Sequence, residues 1–218
     1  MKCYVNDYYF SCIDSEEKAY FIGLLMSDGA ILKGSHTSEY IRVSLHLSQT
    51  DIDILTKFRD CVESNHTIFI GKKFNDCALR FVSKPMVSDL AKYGIVPLKT
   101  GREKLILDEI PVELHRHVFR GLIDGDGWIS KGYSNATLHD IQSVGICGSQ
   151  EICQQFTLAM HQALHVGLLT PSKVKNKDCY KLQYSSYADV CEVVHYLYSN
   201  SSIYMDRKYA RAAEICAL

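Results

Sequence analysis

Ten residues near the start of the chain, Tyr20-Phe-Ile-Gly-Leu-Leu-Met-Ser-Asp-Gly29, return 98 residues later as Val118-Phe-Arg-Gly-Leu-Ile-Asp-Gly-Asp-Gly127. Phe, Gly, Leu, Asp and Gly keep one register across the two copies. A repeat that long in 218 residues restricts the fold to a duplicated unit, one copy per half. Each copy is followed by a short apolar strand (Ala30 to Lys33; Trp128 to Lys131) and then a second strand (Tyr40 to Leu47; Gln142 to Cys147). In the run from Tyr40, the apolar Ile41, Val43, Leu45 and Leu47 alternate with Arg42, Ser44 and His46, the period of a half-buried strand.

Helices come next, Thr50 to Val62 and Gln150 to His165, entered at the N-cap candidates Thr50 and Ser149. Two more strands then follow in each half, Thr67 to Lys73 with Cys77 to Ser83, and Leu168 to Lys175 with Cys179 to Ser185. Polar turns at Asn75-Asp76 and Asn176-Lys177-Asp178 join them, and a further helix closes each unit. The reading is an α+β fold made of duplicated αββαββ(α) units. The halves are residues 1–110 and 111–218, joined near Leu107 to Val112 with no flexible linker, so they share an interface about a pseudo-twofold axis.

Composition removes several alternatives. The longest apolar run, Ala19 to Met26, is far short of the ~18 residues of a membrane span. The N-terminus scatters polar residues where a signal peptide needs an apolar core, so an intracellular, non-secreted protein is expected. Nine cysteines without a C-x-x-C pair read as free thiols in a reducing compartment. Net charge is −1, which excludes bulk polycation binding but not local basic surfaces. Lys72, Lys73, Arg80 and Lys84 are opposed only by Asp76, and Lys173, Lys175, Lys177 and Lys181 only by Asp178.

A single copy of the repeated decapeptide could be an ordinary helix ended by an Asp-Gly cap. Two copies ask for more. Gly23 and Gly121 sit inside helix-forming sequence, where glycine costs roughly 1 kcal/mol against alanine, and close approach of a second backbone is the usual compensation. Packing the two helices on each other brings Asp28 and Asp126 together at their C-terminal ends. There each acid faces a helix dipole of its own sign and a like charge, so ionising both calls for a cation. Oxygen ligands select Mg²⁺ or a similar hard ion, which can share phosphate oxygens. Two acids on a twofold suit two scissile phosphates, one per strand of a duplex.

The segments Phe21 to Gly29 (FIGLLMSDG) and Phe119 to Gly127 (FRGLIDGDG) resemble the two motif copies of single-chain LAGLIDADG homing endonucleases, and the resemblance spans essentially the whole chain. It implies two antiparallel sheets forming a saddle on double-stranded DNA, and a monomeric enzyme that hydrolyses phosphodiesters in both strands of a long pseudo-palindromic target to leave 3′ overhangs. It also implies two or three Mg²⁺ ions shared between the motif acids, Asp28 and Asp126, and DNA phosphates. Met26 and Asp124 stand at the motif's earlier acid position, which is not the metal ligand. The resemblance further places a polar residue at the end of the second strand, Gln49 and Gln150 (Ser149 as an alternative), and a lysine later in each half, Lys99 and Lys208.

Alternate strand positions should read bases and phosphates: Arg42, Ser44, His46, Lys72 and Arg80 in the first half, Lys173, Lys175, Lys181 and Gln183 in the second. His115-x-His117 lacks the companions of a zinc site, and the fourteen tyrosines read as core as readily as stacking platforms. The alternative functions are an intron RNA maturase, with the chain's own intron RNA as partner, or a DNA-binding regulator. A non-cutting binder commonly loses the acids, and both are present here. A structural module with capping aspartates would need no metal. An intein is disfavoured, since the two repeats nearly use up the chain.

Overall fold

A computed structural model describes residues 3–134, 139–216 and 218. The order is α1 (Glu16–Ser27), β1 (Gly29–Lys33), β2 (Tyr40–Ser48), α2 (Ile52–Cys61), β3 (Phe69–Ile70), β4 (Asp76–Val82) and α3 (Lys84–Lys92). The second half gives α4 (His115–Asp126), β5 (Gly127–Ser134), β6 (His139–Gly148), α5 (Gln150–Leu164), β7 (Ser172–Lys173), β8 (Tyr180–Tyr184), α6 (Tyr187–Tyr198) and α7 (Asp206–Ile215). The two sheets are antiparallel with matching orders, β1-β2-β4-β3 and β5-β6-β8-β7. This is the duplicated α+β architecture expected from the repeat.

Serine starts four of the helices. Ser15, Ser83, Ser149 and Ser186 each accept a hydrogen bond from the backbone N–H three residues on, satisfying one of the donors a helix start leaves open. The expected cap at Thr50 is displaced. Ser48 caps a short 3₁₀ turn, Gln49–Asp51, and α2 begins only at Ile52. Helix α1 is apolar all round, with Ala19 to Met26 wholly buried, because it runs through the centre of the molecule against α4. Among the described residues no helix is long and apolar enough to cross a membrane.

The third strand of each half is much shorter than its sequence run. Only Phe69–Ile70 and Ser172–Lys173 pair, at sheet edges where every residue is exposed. The second half also carries a helix with no counterpart in the expected unit, α7, which returns to the centre. The free-thiol reading needs correction too. Cys191 on α6 and Cys216 just after α7 form a disulfide, leaving seven free cysteines. The folded chain brings these two together, whereas their separation of 25 residues carries no motif.

Candidate functional site

Helices α1 and α4 touch backbone to backbone. A Cβ on Gly23 would fall on the Val118 carbonyl oxygen and 2.8 Å from the Leu122 nitrogen, and one on Gly121 would fall on the Tyr20 oxygen and 2.8 Å from the Leu24 nitrogen. The reciprocity of these contacts is the pseudo-twofold axis at atomic scale. At the ends of the two helices the approach remains tight, since a Cβ on Gly125 would fall on Ser27 Oγ and 2.6 Å from Asp28 Oδ2. Asp28 caps α1, its N–H donating to Leu24 O and Leu25 O, and Asp126 is the last residue of α4.

The local field opposes ionisation of both acids. Burial, and then the Asp126 charge, push the Asp28 carboxyl up to about 7. Asp126 is raised as well, chiefly by desolvation, but its side chain keeps substantial contact with solvent and the effect is tempered. Two buried lysines supply opposing charge. Lys99 Nζ donates to the Ser27 carbonyl at 3.1 Å, and Lys208 Nζ donates to the Ile123 carbonyl at 3.1 Å and to that of Gly127. One ammonium thus sits at the C-terminus of each central helix, where the helix dipole favours a cation. Desolvation lowers both, Lys208 to about 8.

The glutamines make other hydrogen bonds or none that reach the acids. Gln49 spends its amide on the carbonyls of Gly71 (2.6 Å) and Asp76 (3.2 Å), bracing the β3–β4 turn. Gln150 is exposed on the first turn of α5, and its neighbour Ser149 caps that helix while donating to Glu103 O at 2.5 Å. The structure therefore gathers Asp28, Asp126, Lys99 and Lys208 at the two helix ends, with Gln49 bonded to the carbonyl of Asp76 on the cavity wall beside Asp28 and Ser149 capping α5.

Several contacts escaped the sequence reading, some of them made by residues it named for other reasons. A cavity of about 270 Å³ beside Asp28 is lined by His46, Ser48, Asp51, Asp76, Gly125, Met205 and Arg207. Arg207 Nε lies 2.8 and 3.1 Å from the two oxygens of buried Asp51, joining the halves across 156 residues of sequence. Asp124 is fully buried, accepting from Tyr20 Oη (2.8 Å), Tyr198 Oη (2.6 Å) and the Met205 N–H (2.7 Å). Arg120, equally buried, donates to Glu16, His117, Leu197 O and Ile203 O. In the sequence Asp124 differs from Met26 only as a motif variant, and nothing there announces partners 74 to 104 residues away.

The halves also differ beside their acids. Strand register sets Gly29 opposite Leu45 and Gly127 opposite Ile146, which makes His46 the counterpart of Cys147 and Asp76 the counterpart of Cys179. His46 Nε2 is 2.8 Å from Asp76 Oδ2, and the His46 N–H donates to Asp28 O at 3.4 Å. In the second half the equivalent pair is two thiols, with Sγ atoms 3.6 Å apart. Burial, then Cys179 and Asp126, push the Cys147 thiol up to about 11.

On the polar strand faces, Arg80 on β4, Lys173 on β7, and Lys181 and Gln183 on β8 are exposed as expected, with the Arg80 guanidinium 5.5 Å over the Phe69 ring. Arg42 is half-buried and donates to Ser35 Oγ. Ser44 is only 4% exposed, so it is not a solvated reading position. Lys72 and Lys175 stand in turns beyond the short edge strands instead of on strand faces. His115 donates to Ile110 O at 2.8 Å and His117 Nδ1 accepts from Arg120 at 2.7 Å, so each ring is engaged in a structural contact of its own.

No family model matches the sequence, and no curated protein matches it. Solved structures do match. The LAGLIDADG meganuclease I-AabMI bound to uncleaved DNA superposes with TM-score 0.63 at 11% identity, over 91% of this chain and 88% of that one. The homing endonuclease I-GzeII in complex with a DNA target gives 0.62 at 12%, over 92% and 88%, and I-LtrWI bound to target DNA gives 0.61 at 9%, over 89% and 87%. The chain has the fold of the LAGLIDADG homing endonucleases.

Proposed function

We propose that this protein is a site-specific, metal-dependent DNA endonuclease acting as a monomer on a long pseudo-palindromic duplex and leaving 3′ overhangs. The observation that carries the reading is the pair of motif acids at adjoining helix ends, each helix end holding its own buried lysine, in a fold whose solved examples include DNA-bound endonucleases.

The donor chemistry suits Mg²⁺. Among the described residues no group of three or more His, Cys, Asp or Glu is placed to enclose an ion. Two carboxylates with nearby backbone carbonyls instead leave most of a coordination sphere to water and phosphate, the arrangement Mg²⁺ favours. Asp28 and Asp126 would hold the ions, relieving the repulsion that raises their carboxyls. When bound, Mg²⁺ supplies charge neutralisation at the phosphate and activation of water. The chain's own part is positional. The glycine contact fixes the spacing of the acids, Lys99 and Lys208 balance their charge, and the exposed cations Arg80, Lys173 and Lys181 hold the duplex through phosphates and base edges.

The test begins with duplexes selected from randomised DNA by the purified protein, followed by cleavage of the selected site in a plasmid with and without Mg²⁺. Asp28→Asn or Asp126→Asn should abolish double-strand cleavage while affinity for the selected duplex stays within a few-fold. Cleavage of both strands by either variant at the parental rate would overturn the assignment. Tight binding to an intron RNA with no duplex enriched would favour the maturase function.

A further inference from the structure

The turn between β3 and β4 reads Gly71-Lys-Lys-Phe-Asn-Asp76, and Phe74 at its tip is 84% exposed, the most exposed of the large apolar side chains among the described residues. It joins none of the ring contacts seen there, unlike Phe69 nearby, which lies beneath Arg80. A large ring held in water directly after two lysines is free to meet an apolar surface beside a polyanion in the working state. The tip is also firmly placed. Gln49 N–H donates to Asn75 O at 2.9 Å and the Gln49 amide to Gly71 O, while Asn75 takes a φ of +51° that closes the turn.

Its position is what gives the ring a role. Asp76, two residues from Phe74, lines the same cavity as Asp28. Two residues reach at most about 7 Å, which is about two base steps at 3.4 Å each. Phe74 therefore stands within about two base steps of the Asp76 wall of the cavity that also holds Asp28. The matching turn of the second half, Val174-Lys-Asn-Lys-Asp178, contains no aromatic residue.

Resting on the endonuclease reading above, we propose that Phe74 is a specificity-determining wedge. Its ring enters the duplex beside the cleavage site of the first half and unstacks one base step, with Lys72 and Lys73 holding the flanking phosphates. An apolar ring pressed between bases favours flexible pyrimidine–purine steps, so the protein selects sequence there by deformability without hydrogen-bonding a base. Only one side of the target's centre is distorted.

The experiment places 2-aminopurine, which brightens on unstacking, at successive central positions of a duplex selected by the intact protein. Binding in Ca²⁺ should raise fluorescence at one or two adjacent positions on a single side of the centre. Phe74→Ala, a surface change that should leave Tm unaltered, should abolish that rise and weaken binding roughly tenfold, the scale of one lost base–aromatic stack. Phe74→Trp should restore it. Lys73→Ala should keep the rise and make the salt dependence shallower by about one unit of slope. An unchanged rise in Phe74→Ala, or equal rises on both sides of the centre, overturns the wedge while leaving the endonuclease reading intact. Failure of the parent protein to enrich any duplex overturns both.

Discussion

Adding a methyl group at Gly23 or Gly121 puts a carbon onto the backbone of the facing helix, where no side-chain rotation can make room. Alanine would gain roughly 1 kcal/mol in helix propensity, but overpacking against backbone outweighs it, and a net loss of about 2–4 kcal/mol is expected by urea unfolding. Gly132→Ala is the control, since its Cβ would meet only Ile141 side-chain atoms at 3.6 and 3.8 Å. These glycines were legible from the sequence because each breaks a helical preference at the same place in both repeats. His117 was not, because its role depends on burial. Desolvation first, and then the charge of Arg120, lower its pKa from 6.5 to about 4, against the opposing pull of Glu16 and Glu17 and with further help from Arg116. The unfolded chain then takes up a proton that the folded chain refuses, so stability falls as pH drops from about 6.5 to 4. Glu16, also lowered in the fold, adds a loss in the same direction at the acid end. The total at His117 is up to about 3 kcal/mol, and His117→Gln should flatten the pH dependence of the urea midpoint within that window.

Among the elements, the long helices and the inner strands follow their hydrophobic periods closely. The edge strands do not, because alternation marks what a chain could pair and the sheet ends where its neighbours stop. Helix α7 was illegible for a different reason: what holds it is a buried acid on another helix. Asp124 fixes the Met205 N–H at the start of α7, and from that helix Arg207 reaches Asp51 and Lys208 reaches the end of α4. Replacing Asp124 with the methionine of the first repeat would strand two tyrosine hydroxyls and a backbone N–H in a dry interior. We expect a loss of about 3–5 kcal/mol and faster amide exchange at residues 205–208 than elsewhere in the second half. Equal acceleration throughout the chain would show that Asp124 is a general core group and not the anchor of α7.

Across the whole molecule the duplication is sound in topology and unequal in chemistry. A His–Asp pair flanks one acid and a thiol pair the other, and only one half receives the Asp51–Arg207 bridge. If both acids serve phosphodiester hydrolysis, the two strands should be cut at different rates, and supercoiled plasmid should pass through an accumulating nicked form. His46→Ala should alter the rate on one strand by tenfold or more and leave the other within twofold, read from separately end-labelled strands. Equal effects on both would mean that the two centres work as one unit. The bridge also sets a clock on synthesis. Asp28 leaves the ribosome about 180 residues before Arg207 and Lys208, roughly 10 to 40 s at ordinary elongation rates. Until then its cavity lacks Met205 and Arg207 from its wall. A nascent chain, or one cut short by a premature stop before α7, would present the first half's sheet beside an unfinished Asp28 cavity, a built-in delay before any chemistry at that cavity can begin.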